Sequence, residues 1–147
     1  MKKSIILLCA LACCAAVLKA QSSQTGLGYI KLNHVALQVK DIPTSRSFYQ
    51  NVVGLKLIPV PDSLKNTRAW FDAGNGQQIH LLNGRNFTVA DDRNGSHFAM
   101  FVDDIKKAEA WLINQKIKYH KQVRFDGVVQ IYFADPDEYL IELQQKR

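Results

Sequence analysis

Four residues able to bind a metal occupy matching positions in two copies of one pattern. His34-Val35-Ala36-Leu37-Gln38-Val39-Lys40-Asp41-Ile42 returns 63 positions later as His97-Phe98-Ala99-Met100-Phe101-Val102-Asp103-Asp104-Ile105. Gln78-Ile79-His80-Leu81-Leu82 is echoed 62 positions on by Leu140-Ile141-Glu142-Leu143-Gln144. His34 therefore aligns with His97, and His80 with Glu142. Three imidazoles and a carboxylate suit a divalent ion such as zinc, nickel, manganese or iron. A repeat carrying two donors per copy implies two like modules closing around one metal. A lone histidine in a strand is more often a hydrogen-bonded or surface residue, so the matched positions carry this reading. His120 belongs to no such echo and reads as a surface histidine.

The elements that must position these residues follow the same repeat. Alternating apolar residues predict a strand from Ile30 to about Lys40; Asp41 then caps a helix with Pro43 in its first turn and Phe48, Tyr49, Val52 and Val53 on its buried face, ended by Gly54. Leu55 to Val60 reads as a short strand, and Thr67 to Ala73 with Gln77 to Leu82 as a hairpin across Gly74-Asn75-Gly76. The second copy repeats the order. Ser96 to Val102 is a strand, Asp104 caps a helix with Ala108, Trp111, Leu112 and Gln115 at helical spacing, and strands follow at Ile117 to Gln122, Val128 to Ala134 and Tyr139 to Gln144. The predicted fold is α+β: two tandem βαβββ modules forming a curved mixed-sheet cleft. One domain spans residues 29–145, with module 1 at about 29–83, a polar linker at 84–95 and module 2 at about 96–145.

Strand parity decides which face each candidate uses. Val35, Leu37 and Val39 share the face a helix can cover, leaving His34, Ala36 and Gln38 opposite. Likewise His97, Ala99 and Phe101 separate from Phe98, Met100 and Val102, His80 from Ile79 and Leu81, and Glu142 from Ile141 and Leu143. Curved sheets with helices outside would aim all four donors into one cleft. By the repeat, Trp70 matches Tyr132 and Arg68 matches Gln130 as cleft lining, while Phe71 and Phe133 face the core. Arg68, Trp70, Gln38 and Phe101 are the candidate substrate contacts, with Arg68 able to pair with a substrate carboxylate.

The N-terminus reads as an export signal. Lys2 and Lys3 precede an apolar run from Ile5 to Leu18, and Lys19-Ala20 precedes Gln21, so residues 1–20 are a signal peptide and residues 21–28 a flexible tether. The run is short for a membrane span. The protein is expected to be periplasmic or secreted, meeting a membrane only if lipidated at Cys13 or Cys14. All three cysteines lie in this leader, so the mature chain has no disulfide framework. The leader also takes three of the 19 basic residues and none of the 13 acidic ones, lowering the formal charge from +6 to +3. With no basic cluster interleaved with aromatics, no nucleic-acid partner is expected.

These segments resemble the vicinal oxygen chelate superfamily, which holds glyoxalase I, methylmalonyl-CoA epimerase, extradiol dioxygenases and the bleomycin and fosfomycin resistance proteins. The matching stretches are Leu32-Asn33-His34-Val35-Ala36-Leu37, Ser47-Phe48-Tyr49 with Gly54-Leu55, Gly76-Gln77-Gln78-Ile79-His80-Leu81, Ser96-His97-Phe98-Ala99, and Tyr132-Phe133-Ala134-Asp135-Pro136-Asp137 with Ile141-Glu142-Leu143. The resemblance implies one divalent metal held from the first, fourth, fifth and eighth strands by His34, His80, His97 and Glu142. It also implies a small-molecule substrate and, in many members, a homodimer, some completing the site across subunits. Two departures stand out. Glyoxalase I enzymes usually carry a carboxylate or amide where His80 stands, leaving Glu142 as the one proton carrier. Where they contact glutathione with arginine and asparagine, this chain has Gln38 and Gly84, which sets it apart from glutathione users. Glu138 also replaces the usual glycine after Asp-Pro-Asp, a strained choice if that position needs positive φ.

Counting coordination positions separates the chemistries. Four protein ligands leave two places of an octahedron, enough for a bidentate 1,2-dioxygenated substrate whose enolate the metal stabilises as a Lewis acid, with Glu142 as general base. That favours a glyoxalase-like lyase or isomerase. A single-domain extradiol-type dioxygenase is the rival enzyme class, kept by Tyr132, which resembles the active-site tyrosine ten residues before the carboxylate ligand. A non-catalytic, resistance-type binding protein is the rival outside enzymology.

Overall fold

The computed structural model describes residues 26–89 and 92–146. The proposed signal peptide, with Cys9, Cys13 and Cys14, lies outside the described residues. The chain divides into one unit up to Lys31 and a second from Leu32 onward. The second unit carries β1 (His34–Val39), α1 (Ile42–Asn51), β2 (Lys56–Ile58), β3 (Arg68–Gly74) and β4 (Gln77–Asn83). It continues with β5 (His97–Val102), α2 (Ile105–Asn114), β6 (Tyr119–Val123), β7 (Val129–Ala134) and β8 (Leu140–Gln145). Each module folds into its own four-stranded mixed sheet, ordered β1-β4-β3-β2 and β5-β8-β7-β6. The strand that opens each module therefore lies at a sheet edge, paired in parallel with the strand that closes it.

Local chemistry explains the boundaries. Asp41 accepts from the Thr44 amide at 2.8 Å and Asp104 from the Lys106 and Lys107 amides, so both helices begin where a carboxylate satisfies free N–H groups. Gly54, at φ 81°, lets the chain leave α1 in the left-handed region. The first strand begins at His34, four residues later than its apolar pattern predicts, because β4 offers partners only from Gln77 onward. A single 3₁₀ turn at Asp62–Leu64 was not expected. Trp111 stands on the helical stripe of α2, which as an apolar stripe is expected to face the core, but it is 45% exposed and its indole donates to the Val52 carbonyl at 2.8 Å. A polar edge that satisfies a helix-end carbonyl keeps this tryptophan at the surface.

One hydrophobic core serves both modules. Leu37, Val39, Tyr49, Phe71 and Leu81 of the first pack in one cluster with Leu112, Ile131, Phe133 and Ile141 of the second. Buried polar bonds fix the junction. The β7–β8 turn presents Asp135 to the Tyr49 hydroxyl at 2.9 Å, and Asp137 to the Lys40 amide, the Ser45 hydroxyl and the Arg85 guanidinium. Burial pushes the Asp135 carboxyl above its ordinary range, against the pull of its donors from Tyr139, Tyr49 and Asp137. Glu138 does adopt positive φ, at 70°, and its carboxylate accepts from Arg85 at 3.3 Å, a contact that glycine could not make.

Candidate metal centre

Parity places the four candidate donors as the sequence predicts, on the faces opposite the core. On sheet one the register sets His34 beside Gln78, Ala36 beside His80, and Trp70 across from His80. The three rings form a stack: Trp70 lies 4.5 Å from His80 and His80 4.2 Å from His34, with interplanar angles of 14° and 13°. Burial, then the neighbouring His34, holds the His80 imidazole below its ordinary pKa, which favours the neutral ring a metal requires. On sheet two, His97 Nε2 meets Glu142 Oε2 at 2.9 Å, and the Tyr132 ring stands edge-on to His97 at 5.6 Å.

The four donors form two pairs, one on each sheet. Among the described residues no three His, Cys, Asp or Glu side chains come together closely enough to hold a metal ion. The sequence expectation of one cleft for all four is therefore met only by halves within a single chain. The shared core and the buried bonds from α1 to the β7–β8 turn fix the modules against each other, so no small rearrangement would merge the pairs.

The orientation of each ring nonetheless suits a ligand. His34 Nδ1 is 2.6 Å from Asn33 Oδ1, His80 Nε2 is 2.7 Å from Gln78 Oε1, and His97 Nδ1 is 2.9 Å from the Gly95 carbonyl. For His34 and His80 one ring nitrogen donates to a side-chain amide oxygen, which leaves the other nitrogen as an acceptor; for His97, Nδ1 faces the Gly95 carbonyl and Nε2 the Glu142 carboxylate. Glu142 is 3% exposed. Burial alone would raise its pKa, but donors from Gln144, Gln130, Tyr132 and His97 outweigh this and hold it ionised below the ordinary range. The donor chemistry thus fits a divalent ion.

The remaining candidates are placed as follows. Tyr132 is buried beside Glu142; burial and that carboxylate raise its phenol pKa. Gln38 has its amide engaged with the Gly84 carbonyl at 2.9 Å, and Arg68 donates to the Thr67 carbonyl at 2.8 Å. Phe101 is 72% exposed on the face that carries His97. Sequence reasoning missed the orienting groups Asn33, Gln78 and Gly95. Two of them are legible in hindsight: Gln78 stands two residues before His80 on its face, and Asn33 directly precedes His34.

A family model described as Glyoxalase/Bleomycin resistance protein/Dioxygenase superfamily matches residues 31–143. The chain belongs to this superfamily. Its relatives include Glyoxylase I 4 of Arabidopsis thaliana, 30% identical over 120 residues that cover 76% of this chain and 68% of that protein. A lactoylglutathione lyase of Schizosaccharomyces pombe is 28% identical over 83% of this chain, which spans about half (49%) of that longer protein. The crystal structure of a glyoxalase family protein from Bacillus anthracis superposes with a TM-score of 0.71 at 30% identity, covering 83% of this chain and 100% of the other. Membership accounts for the repeat and the paired sheets, and makes the protein glyoxalase-like.

Proposed function

We propose that this superfamily member is an exported, metal-dependent lyase or isomerase of glyoxalase type, acting on a small substrate with oxygens on adjacent carbons. The observation that carries this reading is the shared orientation of His34, His80 and His97. Each has one ring nitrogen tied to a carbonyl-type oxygen, and His97 already faces Glu142.

Because one chain holds the donors as two pairs, the reading requires a second copy: His34 and His80 of one chain complete the site with His97 and Glu142 of the other. Both pairs neighbour edge strands, β1 and β5, whose outward residues His34, Ala36, His97, Ala99 and Phe101 are exposed. Such edges favour being covered, and a two-fold pairing would generate two equivalent sites at once. When bound, the divalent ion supplies Lewis-acid polarisation of a substrate oxygen. Glu142, ionised and buried, is the group that accepts a proton from the carbon next to that oxygen, while Gln130, Gln144 and Tyr132 hold its carboxylate in place. Trp70, stacked on His80, walls the other half of the site.

Metal analysis of the purified mature protein tests the reading. About one zinc, nickel or manganese ion per chain, lost in His34→Ala and His97→Ala alike, supports it. Retention by both variants places the ion elsewhere, and iron with oxygen uptake selects the dioxygenase reading that Tyr132 beside Glu142 favours. Intact mass after export tests the leader: a chain beginning near Gln21 is expected, and a retained leader or a lipidated Cys13 or Cys14 contradicts it.

A further inference from the structure

A cavity of about 540 Å³ opens at the β6–β7 end of sheet two, lined among others by Arg93, Lys118, His120, Tyr132 and Leu140. It adjoins the His97–Glu142 pair on both sides, since Leu140 registers with His97 and Tyr132 with Glu142. Two cations face it against one carboxylate, Asp92, whose Oδ1 accepts from the Asn94 amide at 2.9 Å. Lys118 is exposed and makes no ion pair among the described residues.

Arg93 is built into this wall. His120 Nε2 and Gln122 Oε1 both accept from its Nη1, the latter at 3.2 Å, while Nη2 and Nε make no hydrogen bond among the described residues. Those two nitrogens form the fork that addresses a carboxylate bidentately. Gln122 also donates to Gln130 Oε1 at 3.0 Å, and Gln130 donates to Glu142 Oε1, so a continuous polar chain runs from Arg93 to the candidate proton acceptor. The loop that carries Arg93 is anchored at the same place. Gly95 donates to the Asp92 carbonyl at 2.8 Å, and its own carbonyl receives His97 Nδ1. A Cβ at Gly95 would stand 3.1 Å from the Asp92 carbonyl oxygen, so any larger residue there makes the turn give by a few tenths of an ångström. One turn thus positions both Arg93 and His97.

We infer that this cavity is a carboxylate subsite: Arg93, supported by Lys118, binds the acid group of a small 2-hydroxy or 2-oxo acid and sets its neighbouring oxygenated carbon against Tyr132 and the His97–Glu142 pair. The carboxylate binding stands on the cavity alone; the placement against the pair rests on the function proposed above.

Calorimetric titration of the mature protein and of its His34→Ala variant separates the two. Glycolate is the probe, with glycolamide as its neutral analogue and inorganic phosphate as the competing anion. Glycolate should bind both proteins, glycolamide should not, and phosphate should bind more weakly than glycolate. Arg93→Gln should weaken glycolate tenfold or more, Lys118→Gln less, and Arg93→Lys should restore only part, because lysine returns the charge without the fork. Arg93 and Lys118 are exposed, so these variants should keep the parental melting temperature. Equal binding of glycolamide, undiminished glycolate binding in Arg93→Gln, or phosphate binding tighter than glycolate would overturn the subsite. Glycolate binding retained in His34→Ala alongside a failed metal analysis would leave the subsite standing and remove the metal reading.

Discussion

At the scale of single residues, Glu142 bears the greatest chemical demand. It is buried yet ionised, because Gln144, Gln130, Tyr132 and His97 direct donors at it. Glu142→Gln keeps the shape and an oxygen but removes the proton acceptor. Activity on a turned-over substrate should fall by about 10²–10⁴-fold, with metal content reduced less, measured as kcat against bound metal. Near-parental turnover at full occupancy would remove Glu142 from that role. Gly95→Ala offers a second check. The added methyl crowds the Asp92 carbonyl, so the turn must shift, and metal retention and glycolate affinity should fall together although neither His97 nor Arg93 is altered. Loss of neither would show that the turn does not position them. Much of this residue-scale picture was legible in the sequence, since matched spacing and strand parity named His34, His80, His97 and Glu142. Arg93 was not, because it lies in an aperiodic linker where no pattern assigns a face.

At the scale of elements, helix caps and the module junction decide stability. Asp41 is held below its ordinary pKa by hydrogen bonds from the Thr44 side chain and amide, and Asp104 chiefly by the Lys107 amide, against a smaller cost of desolvation, with a further pull from the Lys106 amide. Groups with depressed folded pKa values stabilise the fold above their unfolded values and lose that contribution as pH falls through the folded ones. The double variant Asp41→Asn, Asp104→Asn should keep its stability at pH 7, since asparagine also caps, and lose less than the parent between about pH 5 and pH 2. Urea unfolding across that range measures it; an unchanged pH slope would contradict the capping account. At the junction, Tyr49→Phe leaves the buried Asp135 carboxylate without one donor and should cost about 1–3 kcal/mol in the same assay. The helix starts were readable from Asp41 and Asp104 because capping is local chemistry. The first strand's start and the exposure of Trp111 were not, because they depend on where β4 begins and on a carbonyl 59 residues away.

At the scale of the whole molecule, the repeat predicted two sheets and the structure has two, but periodicity carries no information on how the modules sit against each other. That is set by Asp135 and Asp137, which join α1 to the β7–β8 turn, and by Arg85, which ties the segment after β4 to the same turn, while the strand topology keeps the two donor pairs on separate sheets. The proposal made above rests on this arrangement: His34 and His80 of one chain would complete a metal site with His97 and Glu142 of another. Subunit complementation tests it most directly. His34→Ala and His97→Ala chains, each unable to bind metal alone, are unfolded, mixed in equal amounts and refolded together with metal. If the site is shared, mixed dimers pair the intact first module of one variant with the intact second module of the other, and about a quarter of the parental sites should return, read as bound metal in the dimer fraction. No recovery of bound metal in the mixture, with the parent binding its ion as a monomer, would contradict the account.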